Sequence, residues 1–231
     1  MHWLRKTEDN SEHAMKNTVA NILVVDDHPV VRKGLADLIN REDDLCVTGE
    51  ADTAGDALKL LDSLKPDLIT VDISLNETDG IELIKQIKAT ESDLPILVIS
   101  MHDDRIYAER ALHAGAMGYV NKNEATDHLI GAIRQVLCGK TYVSEKITER
   151  IITRARNNGN VNESPIESLT DKELEVLLRL GNGQTTREIA DNLKRSIKTI
   201  ETHRESIKTK LGVTTSAELI HRATLLVREL G

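Results

Sequence analysis

Between residues 21 and 139, short apolar runs alternate with longer stretches whose apolar residues recur every three or four positions. The runs are Ile22-Leu23-Val24-Val25, Leu68-Ile69-Thr70-Val71, Ile96-Leu97-Val98-Ile99 and the weaker Met117-Gly118-Tyr119-Val120, with Leu45-Cys46-Val47 as a further candidate. Short β-branched runs with no polar alternation predict strands buried on both faces, the pattern of a parallel sheet. The periodic stretches, roughly 30–40, 54–64, 81–88, 105–113 and 126–137, predict helices. Five such βα units predict a doubly wound α/β domain with a five-stranded parallel sheet. Its ligands belong at the carboxyl ends of the strands.

The pattern then changes. A charged helical stretch covers roughly 144–156, and Asn157-Asn158-Gly159-Asn160-Val161-Asn162-Glu163-Ser164-Pro165 has the composition of a linker. Beyond it every periodic segment is helical. Thr170-x-x-Glu173, Thr185-x-x-Glu188 and Thr215-x-x-Glu218 read as capping boxes, and Ser196 is a fourth N-cap. Four helices follow from these starts, with Gly181 and Gly212 expected to end the first and third. The predicted organisation is an N-terminal extension (1–20), an α/β domain (21–139), a linker with a helix (140–165) and an all-α domain (166–231).

Charge sharpens that division. The chain carries −8 overall, but residues 1–140 hold 15 Lys and Arg against 25 Asp and Glu, a net −10, and residues 141–231 hold 15 against 13, a net +2. An acidic half and a mildly basic half have different work to do. With no Phe, one Trp and three Tyr, the cores must be aliphatic. No apolar run approaches the roughly 18 residues that cross a bilayer, so no membrane partner is expected. Residues 1–20 lack the apolar stretch of a signal peptide. Cys46 and Cys138 are in no metal spacing and read as thiols of a reducing cytoplasm.

The first strand ends in Asp26-Asp27 and the third in Asp72, so three carboxylates share one rim of the sheet. Uncompensated, they would raise one another's pKa, and a divalent cation is the economical solution. Oxygen-only ligands suit Mg²⁺, which also shares its sphere readily with phosphate. Ser100 and Lys122, at the ends of the fourth and fifth strands, add a hydroxyl and an ammonium. Together these groups can hold a phosphoryl group in transfer to the carboxylate of Asp72. His28, His102 and His113 read as surface or capping residues. This set of residues resembles the receiver domain of bacterial two-component response regulators. The resemblance implies a flavodoxin-like fold and phosphorylation of Asp72 by a histidine kinase. It implies Mg²⁺ held by Asp27, Asp72 and the main-chain carbonyl of Ser74, with Asp26 reaching it through water. Lys122 and Ser100 would engage the phosphoryl oxygens, and Tyr119 would be the switch aromatic that turns inward. The family usually has a proline four residues after the acceptor; Asn76 stands there, while the closing Asp79-Gly80 is in place.

In the basic half, helices starting at Thr185 and Ser196 are separated by Asn192-Leu193-Lys194-Arg195, a helix-turn-helix spacing. On the second helix Ile197, Ile200, Ile207 and Leu211 form an inward stripe. The opposite face carries Lys198, Glu201, Thr202, Glu205 and Lys208, a mixture of cations and acceptors suited to a major groove. The segment resembles the C-terminal DNA-binding domain of LuxR-type regulators, through Leu169-Thr170-x-x-Glu173-x-Glu175-Val176-Leu177, Glu188-Ile189-Ala190-x-x-Leu193 and Ser196-x-x-Thr199-Ile200-Glu201-x-His203. The resemblance implies a four-helix domain binding duplex DNA as a homodimer, with Arg187, Lys194, Thr199 and His203 added to the contact set.

Receiver and LuxR-type domain in this order resemble the NarL/FixJ class of cytoplasmic bacterial transcription regulators. By that analogy the receiver covers the recognition helix, or keeps the chain monomeric, until Asp72 is modified; autodephosphorylation at a rate the sequence does not set is compatible with the site, and no turnover of an external substrate is expected. The alternative within the class is an orphan regulator whose unphosphorylated receiver serves dimerisation. Free-standing enzymes fit less well. The second Asp of a haloacid-dehalogenase-like phosphatase is missing after Asp26-Asp27-His28, and Pro29-Val30-Val31 offers no dinucleotide-binding glycines.

Overall fold

A computed structural model describes residues 19–75, 79–101, 104–156, 165–193 and 195–230. Five parallel strands, β1 (Ala20–Val25), β2 (Leu45–Ala51), β3 (Leu68–Val71), β4 (Ile96–Ser100) and β5 (Gly118–Asn121), lie in the order β2-β1-β3-β4-β5. The order reverses direction at β1/β3, which creates a crevice beyond their carboxyl ends. The expected runs form four of the strands. The fifth, β2, is longer than Leu45-Cys46-Val47: it continues through Thr48-Gly49-Glu50-Ala51, where an edge position leaves polar residues half exposed.

Helices α1 (Pro29–Ile39), α2 (Ala54–Leu64), α3 (Gly80–Thr90), α4 (Asp104–His113) and α5 (Ala125–Leu137) cover the two faces. Ile22, Val24, Leu97 and Ile99 turn toward α1 and α5, and Leu23, Val25, Ile69 and Val98 turn toward α2, α3 and α4. The sheet is thus buried on both sides, as its uninterrupted apolar runs require.

Part of what reads as linker in the sequence adheres to the first domain. The main chain of Tyr142 pairs beside β5, accepting from Tyr119 N at 2.8 Å and donating to Met117 O at 2.9 Å, which covers the sheet's edge. Helix α6 (Glu145–Arg156) begins where Ser144 Oγ donates to Asp104 Oδ2 (2.9 Å), and it buries Ile147 to 2% exposure. The polar stretch 157–164 and the extension 1–18 lie outside the described residues.

The C-terminal domain has the four expected helices, α7 (Asp171–Gly181), α8 (Thr186–Asn192), α9 (Ile197–Leu211) and α10 (Ser216–Leu230). Thr170 and Thr185 form complete capping boxes with Glu173 and Glu188. Two details differ from expectation. Gly181 is the last residue of α7 rather than its stop: a Cβ there would sit 2.3 Å from Ala223 O, so glycine is required by the close approach of α10. Ile197, placed in the inward stripe by its spacing, is 47% exposed, because the first turn of α9 projects beyond its neighbours; Ile200, Ile207 and Leu211 are buried as expected.

The two domains touch. On α4, the Arg110 guanidinium donates to Leu169 O (2.7 Å), Ile166 O (2.7 Å) and Asp171 Oδ1 (3.0 Å), gripping the segment that leads into α7.

Candidate functional site

The pocket beyond β1 and β3 is built by local sequence. After Val25 the strand gives way to Asp26-Asp27-His28, and Pro29 starts α1. Proline suits the first helical position, since its missing N–H has no partner there in any case, and it keeps His28 extended (φ −94°, ψ 106°). Asp26 Oδ1 accepts from His28 N at 2.8 Å, and Arg32 Nη1 donates to Asp26 O at 2.6 Å, so the acid loop is pinned from both ends.

Asp72 follows β3, with its amide donating to Val25 O (2.9 Å). The chain then turns through Ile73 and Ser74, and Gly80 N donates back to Ile73 O (2.9 Å). A Cβ on Gly80 would lie 2.1 Å from Asp72 O. Only glycine lets α3 start this close to the end of β3, which accounts for the Asp79-Gly80 pair. Asn76 lies outside the described residues.

Lys122, just after β5, reaches across the crevice. Its Nζ is 2.7 Å from Asp26 Oδ2 and 2.7 Å from Asp72 Oδ2. Burial works against its charge, but attraction to Asp72 and the bonds to Asp26 and Asp72 outweigh it and raise its pKa. For Asp72 the balance goes the other way. Burial, only partly offset by Lys122 and reinforced by the charge on Asp26, pushes its carboxyl up to about 6. Asp72 is 2% exposed and its Oδ1 has no hydrogen-bond partner among the described residues, an arrangement that normally costs free energy. Ser100, fully buried, and Tyr119, at 3% exposure, lie on the same side of the molecule at β4 and β5; Tyr119 is already turned inward. The structure therefore brings Asp26, Asp27, Asp72 and Lys122 into one pocket. The orphan carboxylate oxygen and the oxygen-rich donor set fit a hard divalent cation.

His28, read from the sequence as a surface or capping residue, belongs to this group. Ligand atoms of Asp26, Asp27, His28 and Asp72 lie within 4.8 Å of one another. The adjacency Asp26-Asp27-His28 was the available signal.

In the C-terminal domain, Lys198, Glu201, Thr202 and Glu205 on α9 and Arg187 on α8 are exposed. The α/β domain does not cover these described positions, unlike one of the two expected inhibitory arrangements; it contacts the start of α7 instead. Lys208 is paired with Glu205 (2.8 Å), and Thr199 is engaged in the α9 cap, its hydroxyl 2.8 Å from Ser196 Oγ. His203 is half-buried, and burial lowers its pKa. Lys194 and His102 lie outside the described residues. Behind α9, buried Glu173 accepts from Ser206 Oγ (2.5 Å), Lys210 Nζ (2.7 Å) and Thr170 N (2.7 Å), tying α7 to α9. Arg204 Nη1 donates to Thr186 Oγ1, tying α8 to α9. The sequence revealed the capping role of Glu173 but not this second one, nor the interdomain role of Arg110.

Comparison with known proteins agrees with this geometry. Residues 22–134 match the response regulator receiver domain family, and residues 167–223 match the bacterial regulatory proteins of the luxR family. The chain is 33% identical over 207 residues to the response regulator GacA of Pseudomonas aeruginosa, covering 90% of this chain and 95% of that protein. It is 36% identical over 210 residues to the transcriptional regulatory protein LiaR of Bacillus subtilis, covering 89% and 98%. This chain is a two-component response regulator with a LuxR-type DNA-binding domain. Among solved structures, RcsB of Salmonella typhimurium is similar with a TM-score of 0.59 at 28% identity, covering 90% of this chain and 98% of that one. An RcsB–DNA complex is similar with a TM-score of 0.54 at 29% identity, covering 87% and 96%. The regulator's family is one of transcription factors rather than of turnover enzymes. No helix among its described residues is long and apolar enough to cross a membrane.

Proposed function

We propose that this response regulator accepts a phosphoryl group on Asp72 from a histidine kinase, and that the modification controls dimerisation and promoter binding in the bacterial cytoplasm. The observation that carries the reading is the buried Oδ1 of Asp72, without a hydrogen-bond partner among the described residues, beside a lysine and two further acids. Asp27, Asp72 and the Ser74 carbonyl would hold Mg²⁺, with Asp26 behind them. When bound, the ion neutralises charge that builds on the phosphoryl oxygens. The residues of the chain do the rest. Asp72 Oδ1 forms the bond to phosphorus as the P–N bond of the donor phosphohistidine breaks, and the electron pair stays with the imidazole. Lys122 moves its ammonium from Asp72 Oδ2 to a phosphoryl oxygen. Ser100 donates to another, with Tyr119 already held inward. Attack of water on phosphorus, with the P–O bond to Asp72 breaking, restores the carboxylate and releases inorganic phosphate.

The signal has a direct route to the DNA-binding domain. Ser74 and Asp79, on the loop that follows Asp72, line a small cleft with Tyr107, Asp171, Lys172 and Glu175, the last three on α7. Burial and the nearby Asp171 raise the Asp79 carboxyl well above the ordinary range, so this contact sets two acids against each other. Adding roughly two negative charges at Asp72, two residues before Ser74, biases it toward opening. The recognition face needs no uncovering; what docking restrains is the placement of two such domains on one DNA. Arg187, Lys198 and the remaining exposed polar positions of α9 would then meet phosphates and base edges. RcsB, similar along its whole length, has been solved on DNA.

The test is incubation with Mg²⁺ and acetyl phosphate followed by intact mass, beside Asp72→Ala. One phosphoryl group on the parent and none on the variant is the expected result. No adduct, and no complex with beryllofluoride, would remove the phosphorylation reading in favour of an orphan regulator.

A further inference from the structure

We infer that Glu201 is the base-selecting residue of the DNA-binding domain, and that it selects cytosine by accepting a hydrogen bond from the cytosine N4 amino group. The inference rests on the reading that α9 enters the major groove, and it names what that face recognises there.

The outward face of α9 offers fewer free groups than its sequence suggests. Thr199 is half-buried, and its hydroxyl lies 2.8 Å from Ser196 Oγ, inside the helix cap. The Thr202 hydroxyl donates to Lys198 O at 3.0 Å, and that of Thr209 to Glu205 O at 3.1 Å. Glu205 is neutralised by Lys208 at 2.8 Å, and His203 is half-buried. Lys198 and Glu201 remain exposed, with no ion pair and no side-chain hydrogen bond among the described residues. Both stand in the first half of α9, the part that a helix-turn-helix presents to base edges. From behind, the helix is held firmly. Ile200 and Ile207 are buried, Arg204 bonds Thr186 on α8, and Ser206 and Lys210 bond Glu173 on α7. A side chain on so restrained a helix can discriminate by geometry.

The two free groups do opposite work. Lys198 is attracted by phosphate whatever the sequence. Glu201 is repelled by phosphate, and burying its carboxylate against a duplex costs free energy unless a donor receives it. In the major groove the base donors are the amino groups, N4 of cytosine and N6 of adenine; guanine and thymine offer none. Adenine sets its N7 acceptor beside that donor, which opposes the second carboxylate oxygen. Cytosine does not. Residues 141–231 carry a net charge of only +2, so sequence-independent attraction is weak and does not mask the penalty at Glu201. A mismatched base is thus rejected by an unpaired carboxylate, and the right one is accepted because it supplies the missing proton donor.

Selection of duplexes from a random-sequence pool tests this with the full chain, with and without Mg²⁺ and acetyl phosphate, on the parent, Glu201→Gln and Glu201→Ala. The parent should select C·G at one position of each half-site. Changing that pair to T·A, which puts an acceptor where the donor stood, should weaken parental binding about tenfold. Glu201→Gln should select A·T at the same position, because its amide bonds adenine N6 and N7 together. Glu201→Ala should tolerate all four pairs there within about threefold. A cytosine preference kept by both variants, or no C·G preference of the parent at any position, would overturn the assignment. So would a loss of affinity in both variants that is equal for every sequence, the mark of a merely structural role. If the parent retains no duplex from the pool in either state, the DNA-binding reading fails as a whole, an outcome distinct from the failure of Glu201 alone.

Discussion

Among the described residues the receiver buries two carboxylates almost completely, Asp26 and Asp72, and the C-terminal domain buries one, Glu173; Asp72 and Glu173 are treated in opposite ways. Glu173, at 4% exposure, accepts from Ser206, Lys210 and Thr170. Burial alone would raise its pKa, but these bonds outweigh burial and hold it down to about 2. Asp72, at 2% exposure, pairs with Lys122 but has one oxygen without a hydrogen-bond partner among the described residues, and it is pushed up to about 6. A buried carboxylate with every lone pair engaged contributes to the fold. One left partly unsatisfied costs the fold something and is retained for what it can bind.

The sharpest way to break that contrast is by pH. The folded pKa of Glu173 lies below its ordinary 4.5, so its contribution, roughly 3 kcal/mol, is fully present above pH 4.5 and is lost as pH falls toward 2. The folded pKa of Asp72 lies above its ordinary 3.8, so its ionisation opposes folding by roughly 3 kcal/mol above pH 6, and that opposition is relieved as pH falls toward 3.8. Hydrogen exchange on the metal-free full chain should show β3 gaining protection between pH 6 and 4. The α7–α9 pair should lose it only below 4.5. Substitution of Glu173 by Gln should remove the acid-sensitive step and about 3 kcal/mol of C-terminal stability at neutral pH in urea titrations. Unchanged stability would make Glu173 as dispensable to the fold as Asp72.

Next in size is Gly181→Ala. The added Cβ meets the Ala223 carbonyl oxygen, which is backbone and cannot yield, so α7 and α10 must separate. The expected cost is about 2 kcal/mol, net of the helix propensity gained, read as a lower urea midpoint for the C-terminal domain alone.

These positions also mark what a sequence can and cannot reveal. Uninterrupted apolar runs such as Ile22-Leu23-Val24-Val25 specify a doubly buried strand because their chemistry excludes any wet face. Asp26, Asp27, Asp72, Ser100 and Lys122 were legible because strand ends put them on one rim. Gly181 was legible as a glycine but not as a contact, since its constraint comes from Ala223, far along the chain. Arg110 left no sequence signal, because its partners are mainly backbone carbonyls, which every residue carries. His28 was obscured by exposure: an imidazole at a helix start reads as a cap until its geometry shows that it caps nothing.

Arg110→Ala should have a smaller effect, on docking rather than folding. Losing its bonds to Ile166 O, Leu169 O and Asp171 costs the closed arrangement about 1 kcal/mol, because the freed carbonyls regain water. X-ray scattering should show a more extended chain, and unphosphorylated protein should bind DNA up to about fivefold more tightly. An unchanged DNA affinity would separate docking from regulation.

The smallest expected change in stability is the most telling. Asp72→Asn keeps the shape of the side chain and removes a charge whose burial is already unfavourable. Lys122 retains Asp26 at 2.7 Å, so no buried cation is stranded. Stability should stay within about 1 kcal/mol of the parent, or rise, while phosphoryl acceptance disappears entirely. A loss greater than about 2 kcal/mol would mean that the Asp72–Lys122 pair holds the receiver together and would remove the distinction from Glu173. Near-neutral stability with complete loss of the adduct is what a carboxylate kept for its chemistry requires, because Lys122, its charged neighbour, keeps a second partner in Asp26.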